Sequence, residues 1–559
     1  MNKKFLNALE FSTYSFFLIL LVCIQIKGAN YTYVDTDNYF HVLRTIEFMQ
    51  NPSPFEHLLK WTNYPFGEIS HWTKLPDVIM SLLTLPFLPF YTLKTAAFLG
   101  SFLLNPLFLF LTFTVCWLTA KKTLNFRSRT ALFIIFFAQT NFMQAFLANR
   151  PDHHSMLLFF DACALWQFTK FCETKKNKNL ILLALCAASS LWITVEGVFL
   201  YASIAGYLYI SSVLKKESFV QIFKFSAFYT LFITIFYIIN PPYDGYLYFD
   251  NGRLSIFHVL LSAWICLSLY IAHFFKKQLI QFIFLCTSAL FILLLSYYKG
   301  FLFSPFEDSI QTIFTDRVTE MAGGGNIYYL AYPIVALCCS VLLLRKKKYS
   351  PLYFYLLINL SIYIPLQIYA MRFTATAVFY AVFLIAHYLT SLNLKNWKFG
   401  LLTFMLYSLN FITFAIYTLS TNDILSITPK TPTLVNLEKN KFPEGSVVTD
   451  AFITPYIIWY AEKPTIASTY HRNMAGIIDN HKILFSTDKD EVIKLIRKHK
   501  VGSIYLPYNI DSKYYAEPEK NCDRLYGQIM KCGNYPDWLI KGKMPNAYFF
   551  TVDWTKLPL

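Results

Sequence analysis

Apolar runs of near-constant length recur along most of this chain, each fenced by a short polar connection. They fall at about 11–27, 95–119, 130–147, 153–172, 179–194, 197–213, 222–240, 254–275, 279–297, 327–344, 351–369, 374–391 and 399–419, each near the ~20 residues a bilayer demands of a crossing helix. Another apolar stretch, at about 76–93, is interrupted by Pro76, Pro86 and Pro89 and predicts a helix at or dipping into the membrane interface. Beyond about residue 423 the pattern changes. SVVTDAFI, PTIAST and GSIYLPY read as strands, and KDEVIKLIRKHK has the spacing of an amphipathic helix. The expected fold is a polytopic α-helical membrane protein of about 13 spans, over residues 1–422 with an external loop at 28–94, followed by a soluble α/β domain at 423–559.

Composition agrees: 55% of the 559 residues are hydrophobic and 19% aromatic, only 15% are charged, and mean hydropathy is +0.41. The net charge of +16 sits in short clusters between apolar runs, which argues against nucleic acid as a partner. Basic connections (Lys121 to Arg129, Lys175 to Lys178, Lys215 and Lys216, Lys276 and Lys277, Arg345 to Lys348, Lys395 and Lys398) alternate with nearly bare ones that carry only Arg150, Arg253 or Arg372. Positive-inside bias puts the first set in the cytoplasm, the N-terminus inside as a retained signal anchor, and the C-terminus outside. Most cysteines lie within apolar runs and read as small core residues; Cys522 and Cys532 fall in the outer domain, where an oxidising compartment could join them.

The first external loop concentrates polar chemistry. Asp35 and Asp37 are spaced as alternating ligands, His41 and Arg44 follow one and two helical turns on, and Tyr64-Pro65-Phe66-Gly67 marks a turn before Glu68, His71, Lys74 and Asp77. So polar a loop beside apolar spans points to a site. Asn149-Arg150-Pro151-Asp152-His153-His154 closes the third run on the same side. Asp152 and His154 are metal-ligand types, or Asp152 is simply a helix N-cap.

D-T-D-N-Y-F-H-V-L-R and W-T-N-Y-P-F-G resemble the first acidic motif and the Trp-Tyr-Pro-Leu-Gly segment of the catalytic subunit of oligosaccharyltransferase, a membrane glycosyltransferase of the C superfamily. The resemblance implies that Asp37 is the catalytic metal-binding Asp. Asp152 and His154 stand where that family has Asp-x-Glu, so the implied metal set is Asp37, Asp152 and His154 around a divalent ion, Mn or Mg; the imidazole favours Mn, Fe or Zn over Mg. Val318-Thr319-Glu320 resembles a loop motif whose Glu helps hold the acceptor, and Arg372 matches an Arg that supports the lipid-linked phosphate. Their plainer alternatives are a solvated loop and an Arg facing lipid headgroups.

The match fails where the family reads the Ser or Thr of its Asn-x-Ser/Thr acceptor. There Trp-Trp-Asp-Tyr-Gly is replaced by V-V-T-D-A-F-I-T-P-Y. Tyr470, His471 and Arg472 offer another substrate surface, with Tyr64 and His71 as further candidates; turn residues between strands are the alternative. The function so implied is inverting, metal-dependent transfer of a sugar or oligosaccharide from a polyprenyl phosphate or diphosphate to a protein, lipid or glycan on the outer face of the inner (plasma) membrane. A transporter or flippase of a lipid-linked substrate is the rival, and a catalytically inert relative a third possibility. The rival usually shows mid-span ionisable residues and inverted repeats, whereas the acidic groups here gather at outer span ends. The charge alternation is directly testable. A cysteine placed at position 176 is expected to resist a membrane-impermeant thiol reagent added from outside, and labelling there would overturn the whole orientation.

Overall fold

The computed structural model describes residues 3–29, 32–53, 55, 58–70, 72–216, 218–298, 323–346, 350–421, 437, 441–508, 522–544 and 546–558. The chain divides into two compact units. One contains the described residues of 3–29, 72–298 and 323–421; the other contains those of 32–70 and 437–558. The polar loop is therefore divided between them: Glu68 belongs to the second unit, Lys74 and Asp77 to the first.

The first unit is a helical bundle. Its centre is Thr374–Thr390, in which every residue from Ala377 to Ala386 is buried. A helix apolar all round is stable only when neighbours cover every face. It packs on Ile327–Arg345, Pro351–Tyr369 and Phe126–Ala138. His154–Thr174 lies against both Leu93–Thr123 and Asn177–Ile193. At the periphery, the most apolar window of Gln278–Tyr298 is only 6% buried, against 72% for Met371–Thr390, the exposure expected of a lipid-facing helix.

Among the described residues, nine helices are long and apolar enough to cross a membrane. Four expected runs fall outside that set. Phe126–Ala138 stops after 13 residues, before the short turns Thr140–Met143 and Gln144–Phe146. Asn177–Ile193 has 17 residues and Val198–Val213 has 16. His154–Thr174 has 21 but carries Asp161, Gln167, Lys170 and Glu173. The proline-broken stretch forms an 11-residue helix, Lys74–Thr84. At 1.5 Å per residue that is about 16 Å, too short to cross.

The second unit is built on a four-stranded sheet in the order β3-β4-β6-β5, with β3 (Ser446–Val448) parallel to β4 (Val501–Pro507) and antiparallel pairing from β4 to β6 (Ala547–Val552) and to β5 (Leu539–Lys541). Val448, Ile466, Ile496, Ile504 and Phe550 share its core. The expected amphipathic helix is Lys489–Lys498; it buries Val492, Leu495 and Ile496 and is capped by Asp488, whose carboxylate accepts from the amides of Asp490 and Glu491. PTIAST supplies only an isolated bridge, at Thr465 to Val447. The loop Cys522–Cys532 is closed by a disulfide, with Cα atoms 6.1 Å apart.

The early segment 32–70 is part of this unit. Helix Thr36–Gln50 starts at Asp35, whose side chain accepts from the Asn38 amide at 3.2 Å. A two-residue hairpin, β1 (Leu58–Leu59) with β2 (Glu68–Ile69), flanks a turn that has Asn63 and Gly67 at positive φ. Around that turn the Asn63 and Tyr64 amides donate to the Ile466 and Thr465 carbonyls, and the Thr465 amide donates to the Trp61 carbonyl at 2.8 Å.

Glu68 is buried beside Thr62, Ser468 and Arg472. Burial raises its carboxyl to about 7, against the nearby Ser468 and Thr62 hydroxyls and the charge of Arg472, which pull it down. A carboxyl that holds its proton more tightly folded than unfolded stabilises most below its ordinary range near 4.5. That advantage fades as pH rises through about 7. Hydrogen-exchange protection around residues 58–69 should therefore drop by roughly 2–3 kcal/mol between pH 5 and pH 8. Glu68→Gln should flatten the profile; a parallel drop in that variant would assign the effect to another group.

Candidate active site

In the first unit, Leu93–Thr123 holds Asn105 just before Pro106, and this amide clamps the following loop. Its Nδ2 donates to the carbonyls of Leu147, at 2.9 Å, and Arg150, while its Oδ1 accepts from the Ser155 hydroxyl at 2.7 Å. The clamp fixes the chain between 147 and 155, where Asp152 sits 6% exposed. Asp152 does not cap the helix. The N-cap position belongs to His153, without a side-chain cap, and Asp152 Oδ1 instead accepts from the His153 amide at 2.6 Å.

Three cationic or polar groups surround that carboxylate. His153 Nδ1 contacts Oδ1, while His154 Nε2 and an Arg150 guanidinium nitrogen each lie 3.6 Å from Oδ2. Burial alone would raise the Asp152 carboxyl, but His153, His154 and Arg150 hold it well below its usual range, so it stays ionised. Trp72 covers His153, with ring centroids 4.4 Å apart, and His153 in turn lies 4.3 Å from the His154 ring.

Two helical turns of the same element line a depression with His154, Leu158, Glu196, Tyr363, Arg372 and Thr376 among its walls. Arg372 forms an ion pair with Glu196. The Glu196 turn is held by Gly197, where a Cβ would fall 2.1 Å from the Leu191 amide nitrogen, so only glycine lets the chain pass.

In the second unit, Asp37 stands in the first turn of Thr36–Gln50 and faces His41 Nε2 at 3.1 Å, one turn on. Its side chain is 37% exposed, whereas that of His41 is 4%. The Tyr470 hydroxyl donates to Asp37 Oδ1, and the Tyr470 ring packs edge-on against Phe40 at 4.7 Å. Tyr39, on the helix's buried side, is enclosed by Tyr33, Tyr456, Trp459 and Tyr460 and shares a hydroxyl hydrogen bond of 2.9 Å with Tyr460. Packing thus leaves Asp37 as the open carboxylate of a rigid helix.

The other sequence candidates fall out as follows. Arg472 sits by Glu68, and Tyr64 lies within the turn, its carbonyl accepting from His499 Nδ1 at 2.7 Å; His499 Nε2 faces Asp479 at 2.7 Å. Glu320 and His71 lie outside the described residues, as does the His471 side chain. Asp450, in the segment that replaces the acceptor-reading motif, is buried and accepts from the Phe452 amide at 2.8 Å. Sequence reasoning missed His153, Glu196 and Asn105. The adjacent pair His153-His154 was a usable signal, whereas Asn105, inside an apolar run, offered none.

No family model matches this chain, and no curated protein does. Solved structures do match. The archaeal oligosaccharyltransferase AglB from Archaeoglobus fulgidus, solved in complex with an inhibitory peptide and a dolichol-phosphate, matches with a TM-score of 0.66 at 12% identity, over 98% of this chain and 75% of that one. The A. fulgidus enzyme tethered to an acceptor peptide containing the NVT sequon gives 0.62 at 14% identity, over 98% and 74%. The same protein in complex with Zn and sulfate gives 0.59 at 13%, over 97% and 74%. Across nearly its whole length, this chain has the fold of an archaeal oligosaccharyltransferase.

Proposed function

We propose that this chain is an inverting membrane glycosyltransferase that moves a sugar or oligosaccharide from a polyprenyl phosphate or diphosphate to an acceptor on the extracytoplasmic face of the plasma membrane. The observation that carries this reading is the buried, ionised Asp152 carboxylate, with His154 beside it, at the head of a helix that also lines the depression containing Arg372. The fold adds support, since its matches include proteins solved with a dolichol-phosphate and with an acceptor peptide.

The residues suit a divalent ion. Asp152 Oδ2 and His154 Nε2 are 3.6 Å apart, and two donors each about 2.0–2.6 Å from one ion span such a gap. A carboxylate with an imidazole favours Mn, Fe or Zn over Mg, and one structural match was solved with Zn. Asp37 is the further ligand that the oligosaccharyltransferase resemblance names. When bound, the ion supplies Lewis-acid charge to the phosphate leaving group.

The protein's own groups account for the rest. Arg372 offers a planar fork of donors to a phosphate, and Glu196 holds that fork in place between turnovers. Asp37, open on one side and fixed by Tyr470 and His41 on the other, accepts a hydrogen bond from the incoming nucleophile. The new glycosidic bond forms from the acceptor atom as the bond to the phosphate oxygen breaks, that electron pair leaving with the phosphate and the acceptor's proton passing to the Asp37 carboxylate. In-line attack gives inversion. Glu320 is proposed to hold the acceptor, and Tyr64, Tyr470 and Arg472 to form part of its surface.

Two outcomes are expected. Asp37→Ala and Asp152→Ala should each lower donor-lipid turnover by at least about a hundredfold while leaving abundance and thermal unfolding unchanged. His154→Glu should stay active with its metal preference moved towards Mg. Wild-type turnover in Asp152→Ala would remove the site.

Trp-Trp-Asp-Tyr-Gly is absent from the sequence and Asp450 is buried, so the segment in its place offers a sequon threonine no open carboxylate among the described residues. A peptide carrying Asn-Val-Thr and its Thr→Ala counterpart should be used equally, within about twofold, which is less than ~0.5 kcal/mol of discrimination. Strong selection for the Thr peptide would show that another surface reads it.

A further inference from the structure

The structure assigns a second ligand site to this protein: a saccharide-binding groove in the second unit. The groove is a cavity of about 800 Å³, within the ~300–1,000 Å³ of small-ligand sites, and it lies apart from Asp37 and Tyr470, which are not among its lining residues. It sits at one end of the sheet, where the parallel strands β3 and β4 begin and the antiparallel β6 finishes. Gly445 and Lys500 immediately precede those two strands, and Trp554 follows β6. Gly445 is at φ +109°, and a Cβ there would lie 2.4 Å from the Lys500 carbonyl oxygen, so the floor closes only over glycine.

Three features of the lining specify the ligand class. Trp61, Tyr64 and Trp554 supply aromatic surface, to which the apolar C–H face of a sugar ring is complementary. Glu47, Glu444 and Glu462 accept hydrogen bonds only, while Lys60, Lys463 and Lys500 donate only. Sugar hydroxyls do both, and so can bridge such groups in series. Three acids against three bases leave no net charge in the lining, which disfavours a phosphate or a nucleic acid.

A peptide is the obvious competitor, and the backbone argues against it. An extended peptide gains affinity by adding to a free strand edge. The edge beside this groove, Thr465–Ile466, is already taken by Trp61, Asn63 and Tyr64 of the same chain. The binding itself does not depend on the transferase reading; only its role does. In a glycosyltransferase such a groove would retain a glycan, as donor, acceptor or product, outside the reacting centre.

The test uses the full chain in a sugar-free detergent, titrated calorimetrically with cellohexaose, maltohexaose and chitohexaose, and with an uncharged nonapeptide for comparison. At least one hexasaccharide should bind, more tightly than the peptide. Trp554→Ala, at a position 42% exposed and so safe for folding, should weaken it at least tenfold, and Glu462→Gln measurably. Asp152→Ala should bind as wild type whether or not it transfers sugar. Absence of binding by all three saccharides, preference for the peptide, or binding that survives Trp554→Ala but is lost in Asp152→Ala would each overturn the proposal.

Discussion

A carboxylate withdrawn from water loses several kcal/mol of hydration unless charge and hydrogen bonds replace it, and one end of the helical unit is arranged around that requirement at Asp152. Arg150, His153 and His154 lie within two residues of it, and the amide of its own neighbour completes the shell. Such a shell works only if the chain between 147 and 155 is not free to relax into a regular helix, in which i and i+2 point apart. Asn105 prevents this from another helix, by binding two carbonyls and one hydroxyl of the loop. The charge is kept poised because the backbone is kept irregular.

The second unit meets a gentler form of the same demand. Asp37 is partly in water, so it needs orientation more than compensation. Tyr470 supplies it at one carboxylate oxygen and His41 at the other. The ring cluster around Tyr39 explains the rigidity beneath: five aromatic side chains bury a large area in fixed geometries with little rotamer entropy to lose.

Much of this could be read from the chain because its signals are local. Twenty apolar residues, a basic loop and an amphipathic run at Lys489–Lys498 each declare themselves within a short window. Asp37, Asp152, His154 and Arg372 stood out as polar groups at the ends of apolar runs. What the window hides is pairing at a distance. Glu196 looks like any loop acid until Arg372 is seen beside it. The amide of Asn105 is lost among leucines and phenylalanines. The division of the early loop between two units also depends on contacts with residues some four hundred positions later, which no periodicity records.

That separation has a consequence for how the protein is made. The Tyr64 carbonyl and its His499 donor are 435 residues apart, and the Tyr39 and Tyr460 hydroxyls 421. Closing such loops costs little free energy beyond that of shorter ones, since the entropy grows only with the logarithm of length. The burden falls on time. At synthesis rates of about 5–20 residues per second, the early segment waits for tens of seconds with its aromatic rings uncovered while the intervening helices are inserted. A ribosome that stalls before β3 leaves the helix carrying Asp37 without its supports. Assembly of the Asp37 segment is thereby tied to completion of translation, and a chaperone has a defined client: the stretch from Tyr33 to Ile69.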